Sequence, residues 1–181
     1  MGDINKIKGG ITVFCSARIE DGEDYQKCRL FLMDLLKKYP DRPIITGGGP
    51  GLMNLANKLA QEHGNISVGV TIDIPDETNN AHLDVHYHAA TFGERINIML
   101  DRSDALICMP GGCGTLHELF TARTRMKTRR MRKVATYLFD SSFWDGLIDF
   151  ERMAKRGTIS HDDAHKHIKI INSVDKINIK D

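Results

Sequence analysis

Short β-branched or buried-type runs alternate with amphipathic stretches of helical spacing along this chain, and two of the run-to-helix junctions are crowded with glycine. The first is Gly47-Gly48-Gly49-Pro50-Gly51, after Ile44 to Thr46. The second is Pro110-Gly111-Gly112-Cys113-Gly114, after Ala105 to Met109. Strands that alternate with helices are wired by crossovers, which is how a parallel sheet is built, and such a sheet is covered on both faces. The pattern therefore predicts an α/β fold, a parallel sheet flanked by helices on both faces. In open sheets of this kind ligands bind beyond the carboxyl ends of the strands, near the point where strand order reverses. Both glycine clusters fall at such ends.

Strands are predicted at Ile11 to Phe14, Ile44 to Thr46, Ser67 to Ile74, Leu83 to Tyr87, Ala105 to Met109, Val134 to Phe139 and Ile168 to Ile171. Helices are predicted from Asp24 to Tyr39, Leu52 to His63, Glu94 to Leu100, Thr115 to Lys127 and Phe143 to Lys155. The last is read as a helix face that turns Phe143, Trp144, Leu147 and Phe150 into the core. At 181 residues, with no internal repeat or Ser-rich linker, the chain is read as one domain over 1–181, with a polar and partly loose tail from about His161.

Composition narrows the function classes. Lys plus Arg number 25 against 24 Asp plus Glu, so the net charge of +1 offers no global field for nucleic acid or an acidic membrane. Any phosphate has to be held locally. The four cysteines, Cys15, Cys28, Cys108 and Cys113, form no CxxC pair and point to a reducing, cytoplasmic setting. No stretch has the length of a signal peptide core or a membrane span.

The glycine clusters carry the chemistry. Backbone without side chains can approach an anion while the first amides of the following helix point at it. Gly47 to Gly51 is not the dinucleotide fingerprint, because Leu52 stands where GxGxxG needs glycine, and no Gly-Lys-Ser/Thr follows as a triphosphate loop requires. At the second cluster Thr115 can cap the helix or bond a ligand, and Glu118 follows at capping-box spacing. Two roles are open for Glu118: to finish that cap, or to be a carboxylate held one helical turn above an anion.

Val13-Phe14-Cys15-Ser16, Tyr25, Gly47 to Met53, Glu94-Arg95 and Pro110-Gly111-Gly112-Cys113-Gly114-Thr115-Leu116-His117-Glu118 together resemble the LOG (Lonely Guy) family, with its PGGxGTxxE signature. The resemblance runs roughly from Ile11 to Gly157. It implies a modified Rossmann sheet, a homodimer or larger assembly, and a phosphoribohydrolase that splits a nucleoside 5′-monophosphate into free base and ribose 5-phosphate, cytokinin nucleotides among them. It implies Arg95 and Glu118 as the catalytic pair, and Gly47, Gly48, Gly49, Gly51, Met53, Gly111, Gly112, Gly114 and Thr115 as substrate-binding residues. No metal or organic cofactor is implied. Such proteins have often been labelled lysine decarboxylases, yet no lysine here stands out as a Schiff-base site.

The chain departs from the plant-type members in two places. Ile96 replaces a lysine after the arginine, and a basic run, Arg123 to Lys133, replaces aromatic and Gln positions after the signature helix. The chemistry suits the residues nonetheless. Cleaving an N-glycosidic bond passes through an oxocarbenium-like sugar, which a carboxylate stabilises, and an arginine fork can hold a phosphate or the edge of a base. The rival from another class is a non-catalytic nucleotide or phosphate-ligand carrier, similar to molybdenum-cofactor carriers. His82, His86 and His88 repeat the spacing of His161, His165 and His167, but no single strand or helix presents three of them together, so metal is not expected. The basic run reads as a solvated face or an oligomer contact, and Cys108 and Cys113 as packing residues.

Overall fold

The computed structural model describes residues 2–75, 77–165 and 168–179, with the side chain of His165 not described. Seven strands form one all-parallel sheet: β1 Gly10–Phe14, β2 Ile44–Thr46, β3 Ser67–Thr71, β4 Val85–His88, β5 Ser103–Cys108, β6 Ala135–Phe139 and β7 Ile168–Ile171. Their order is β4-β3-β2-β1-β5-β6-β7. The chain builds outward from β1 to one edge, returns, and builds outward from β5 to the other. Order therefore reverses between β1 and β5, where Ile11 pairs with Ala105 and Phe14 with Cys108. The modified Rossmann architecture holds.

Alternation along the strands explains why both faces are covered. Ile11, Val13, Ile44, Ala105, Ile107, Tyr137 and Phe139 share one core with α1 (Gly22–Lys38) and α2 (Leu52–Glu62), through residues such as Leu32, Leu35, Leu55 and Leu59. Their neighbours Phe14, Ile45, Leu106, Cys108 and Leu138 point the other way. These pack with α3 (Phe92–Asp101) and α4 (Cys113–Lys127) through Ile96, Met99, Leu119 and Ala122. A period of two that is apolar on both sides is what a doubly covered sheet demands. Phe31 of α1 stacks on Phe139 of β6 with ring centroids 3.9 Å apart, which closes the first core.

Two expectations are corrected. The helix predicted over Phe143 to Lys155 is broken into α5 (Ser141–Trp144) and α6 (Phe150–Lys155), because Gly146 lies between them at φ +79. Trp144 is buried but Leu147 is exposed, so only part of the supposed face enters the core. The described part of the stretch from His161 is built into the fold. It forms α7 (His161–His165) and β7, then a 3-10 turn over Val174–Lys176 that docks on α1, with Lys38 Nζ donating to Val174 O and Ile177 O at 2.8 and 2.9 Å.

The end of α4 is a Schellman closure. Arg129 N donates to Met126 O and Arg130 N to Arg125 O, at 3.3 and 2.8 Å, which satisfies the last carbonyls. The left-handed residue of that motif is ordinarily glycine. Here it is Arg129, at φ +58, at a cost of about 1 kcal/mol.

Candidate active site

The loops that leave β1 and β5 are tied to each other. Met109 N donates to Phe14 O at 2.9 Å and Ser16 N to Pro110 O at 3.1 Å, so the two central strands end in register at the reversal point. The two glycine turns enter helices beside this seam, as strand-end glycines in a doubly wound sheet should.

The first turn is wrapped on every side. Gly48 N donates to Thr46 Oγ1 at 2.9 Å, Asn80 N to Gly48 O at 2.8 Å and Asn80 Nδ2 to Gly49 O at 3.1 Å. Behind it, buried Asn57 of α2 bonds Thr46, Asn80 and Ser67. A Cβ at Gly47 would overlap Arg95 and come 2.9 Å from Met53 Sδ, one at Gly48 would meet Thr71 Cγ2 at 2.6 Å, and one at Gly49 would meet Met53 Cε at 2.7 Å. At Gly51, φ +64, it would strike the backbone of Ala17 at 2.6 Å. These glycines are required by close approach.

The second turn is different. A Cβ at Gly111 would overlap the Thr115 hydroxyl, whereas those at Gly112 and Gly114 would enter open space. Gly112, not Thr115, is the N-cap of α4, and no side chain caps it. The capping-box reading of Thr115 and Glu118 is therefore overturned. Thr115 is the third residue of the helix, buried with its hydroxyl above Gly111, and Glu118 turns inward to Arg95.

Arg95 lies in the first turn of α3. Thr91 caps that helix by accepting from Glu94 N at 3.0 Å. Glu94 is not the partner of Arg95: its carboxylate accepts from Tyr87 OH at 2.7 Å and Ala90 N at 2.8 Å, bonds that hold its pKa below the usual range. The Arg95 guanidinium reaches under the sheet edge, donating from Nε to Val70 O at 2.8 Å and from Nη1 to Glu118 Oε1 at 3.4 Å. Both side chains of this pair are about nine-tenths buried, at 9% and 10% exposure. Burial pushes the Glu118 carboxyl up to about 7, against the opposing pull of Arg95. A buried carboxyl poised near neutrality is the form in which Glu serves acid–base work. The buried thiols of Cys15 and Cys108 are raised by burial first and then by the Glu118 charge, which sets that carboxylate beside the ends of β1 and β5.

Arg95 thus joins Glu118, Gly47 and Met53, and Thr115, beside Gly111, lies one helical turn before Glu118, while Gly112 and Gly114 have open space beside their α-carbons. Gly48 and Gly51 face structural neighbours instead, Thr71 and the Ser16–Ala17 backbone. Beyond Gly51 a groove of about 340 Å³ opens between Tyr25, Asn54, Thr78 and Asn79. A hollow of about 330 Å³ beside Trp144, Phe150 and Ile168 contains none of the candidate site residues. Ile96, where the plant-type members have lysine, is 1% exposed and packs in the core, so here the position faces away from solvent.

The sequence reading missed the Thr46–Asn57–Asn80 network. Asn57 had a signal, a polar residue on the apolar face of α2; Asn80 had none. It also missed Thr71, whose hydroxyl joins His86 Nε2 at 2.7 Å and His88 Nδ1 at 3.2 Å. Among the described residues no group of three His, Cys, Asp or Glu could hold a metal ion; His167 and the side chain of His165 lie outside them. Cys108 is buried, but Cys113 is exposed at the start of α4 and is not a packing residue. Among the described residues no helix is long and apolar enough to cross a membrane.

With this geometry in hand, likeness to known proteins can be placed. A family model described as possible lysine decarboxylase matches residues 53–180. The cytokinin riboside 5′-monophosphate phosphoribohydrolase of Rhodococcoides fascians is 26% identical over 155 residues, covering 83% of this chain and 78% of that protein. A probable cytokinin riboside 5′-monophosphate phosphoribohydrolase of Arabidopsis thaliana is 30% identical over 145 residues, 77% of this chain and 71% of that one. Among solved structures, the molybdenum cofactor binding protein of Rippkaea orientalis superposes with a TM-score of 0.66 at 21% identity, over 94% of this chain and 93% of that one. That last likeness is one of fold.

Proposed function

This chain belongs to the possible lysine decarboxylase family, the LOG family of the resemblance above, and from that membership and the buried Arg95–Glu118 pair we propose that it hydrolyses the N-glycosidic bond of a nucleoside 5′-monophosphate. The products are the free base and ribose 5-phosphate. The observation that carries the reading is Glu118, buried, paired with Arg95 and held near pKa 7 one turn above the open glycines.

The phosphate is held by the amides that open α4 near Gly112 and Gly114 and by the Thr115 hydroxyl, where the helix end favours an anion. The ribose then lies over Glu118. As the C1′–N bond breaks, its electron pair leaves with the base and positive charge develops at C1′. Ionised Glu118 stabilises that charge and takes a proton from the water that adds to C1′; the proton leaves with the base. Arg95 keeps Glu118 ionisable at neutral pH, since removing its charge would let burial raise the carboxyl further. A lysine decarboxylase activity has no support in these residues: among the described residues no lysine is buried, whereas an imine-forming lysine is activated by desolvation.

Incubation of the purified protein with a panel of nucleoside 5′-monophosphates, assayed for both products, tests the proposal. Release of base and ribose 5-phosphate in equal amounts is expected. Binding of a monophosphate without turnover would replace the enzyme with a carrier. The protein is further proposed to act in the cytoplasm as a homodimer, which light scattering would check.

A further inference from the structure

The basic run that follows the signature helix resolves into two populations. Arg125 is bound to Asp101 and Asn97, and Arg132 to Asp104. Those cations are spent on neighbouring acids. Two others hold Asp163: Arg123 donates to its backbone oxygen and lies 4.9 Å over the Phe150 ring, and Lys127 Nζ is 3.2 Å from its carboxylate. With Met126, these three residues and Arg129 and Lys133 line a pocket of about 210 Å³. Among the described residues the Arg129 and Lys133 side chains have no partner.

Four cations therefore share this pocket with one carboxylate, which already accepts from Ser160 Oγ at 2.7 Å as well as from Lys127. Arg123 is partly buried, so its charge is poorly screened by water. Arg129 is held in the left-handed turn that favours glycine, a strained placement of the kind that persists where a side chain is put to use. The dipole of α4 accounts for cations near its end but not for a non-glycine residue at φ +58. The pocket's first residue on α4, Arg123, lies eight residues beyond Thr115, ~12 Å at the helical rise, and none of the candidate site residues lines it, so this pocket is separate from the candidate active site.

We propose that this pocket is a second ligand site that binds a short polyphosphate chain, as an inorganic polyphosphate or as the tail of a nucleoside di- or triphosphate. The charges converge on a small concavity instead of forming a track, because Arg125 and Arg132, which would extend it, are paired with acids. That arrangement fits a compact polyanion and not a nucleic-acid backbone. The site is independent of the proposed hydrolase activity.

The test is calorimetric titration of the whole protein with inorganic tripolyphosphate at constant ionic strength, alongside ATP and a single-stranded oligonucleotide. Arg129→Gly and the double variant Arg129→Gly/Lys133→Ala are titrated in parallel. Tripolyphosphate is expected to bind at micromolar concentration and at least tenfold more weakly to the double variant. ATP binding equally well would identify a nucleotide tail as the source; tripolyphosphate alone would identify the inorganic chain. Arg129→Gly relieves the left-handed strain, so its melting temperature should be no lower than that of the parent while its affinity falls, which separates ligand binding from damage to the fold. Unchanged affinity in the double variant overturns the proposal. So does tighter binding of the oligonucleotide per phosphate.

Discussion

The two glycine turns look alike in the sequence and are opposites in the structure. Around Gly47 to Gly51 every added Cβ would meet Arg95, Met53, Thr71 or the Ala17 backbone, and the turn is laced to Thr46, Asn57 and Asn80. At Gly112 and Gly114 an added Cβ would enter open space. One cluster uses glycine so that protein can come close to protein. In the other, Gly111 makes room for Thr115, while Gly112 and Gly114 leave open space where the proposed substrate would approach. Glycine content marks a strand end as special without saying which of these applies, and only what surrounds each α-carbon decides.

The sharpest way to break this contrast is Glu118→Gln, because the carboxylate belongs to the open turn. The variant keeps the shape and loses the charge, so turnover of the best monophosphate should fall by roughly 10²- to 10⁴-fold while nucleotide binding stays within about tenfold. An unchanged rate per folded molecule would leave the open turn as mere structure. Next in size is Gly51→Ala at the crowded turn: the added methyl strikes the Ala17 backbone at positive φ, and a loss of ~2–4 kcal/mol in chemical denaturation is expected. Full stability in that variant would abolish the distinction.

The third test is pH. The Glu118 carboxyl is raised in the folded state to about 7 from the 4.5 of an exposed glutamate, so the fold holds this proton more tightly than the unfolded chain does. The contribution is complete below about 4.5 and is lost as pH rises through about 7. Between pH 5 and pH 8 the parent should therefore lose up to ~3 kcal/mol relative to Glu118→Gln, read from denaturation midpoints across that range. The rate should rise through the same pH, since the ionised carboxylate does the work. The smallest effect belongs to Gly114→Ala. Its methyl enters open space in the first turn of a helix, so stability should hold or improve by up to ~1 kcal/mol, while KM for the monophosphate rises.

What could be read in advance follows the range of the interactions involved. β2 over Ile44–Thr46 and β7 over Ile168–Ile171 were placed to the residue because β-branched runs bounded by breakers are local signals. The break at Gly146 was not, because helical spacing continues across it from Trp144 to Phe150. Spacing alone offered Glu118 a cap. Its inward turn to Arg95 joins two helices through tertiary packing, and family resemblance, not periodicity, singled out that pair. The docking of the tail was hidden in the same way, since Lys38 and Tyr39 are ordinary helix-end residues until Ile177 arrives to accept from them.

The reversal of strand order between β1 and β5 also bears on how the proposed site is assembled. β1 pairs with β2 through chain that is near in sequence, but its other edge waits for β5, which follows only after three strands and three helices have intervened. Long-range pairing of this kind is the slow part of assembly, since loop closure comes before the contacts that reward it. Arg95 precedes β5 in the chain and Glu118 follows it, so a chain with either half formed alone lacks the proposed catalytic pair. Recovery of the proposed activity in a refolding experiment would then count only molecules in which β1 and β5, the paired strands farthest apart in sequence, have closed.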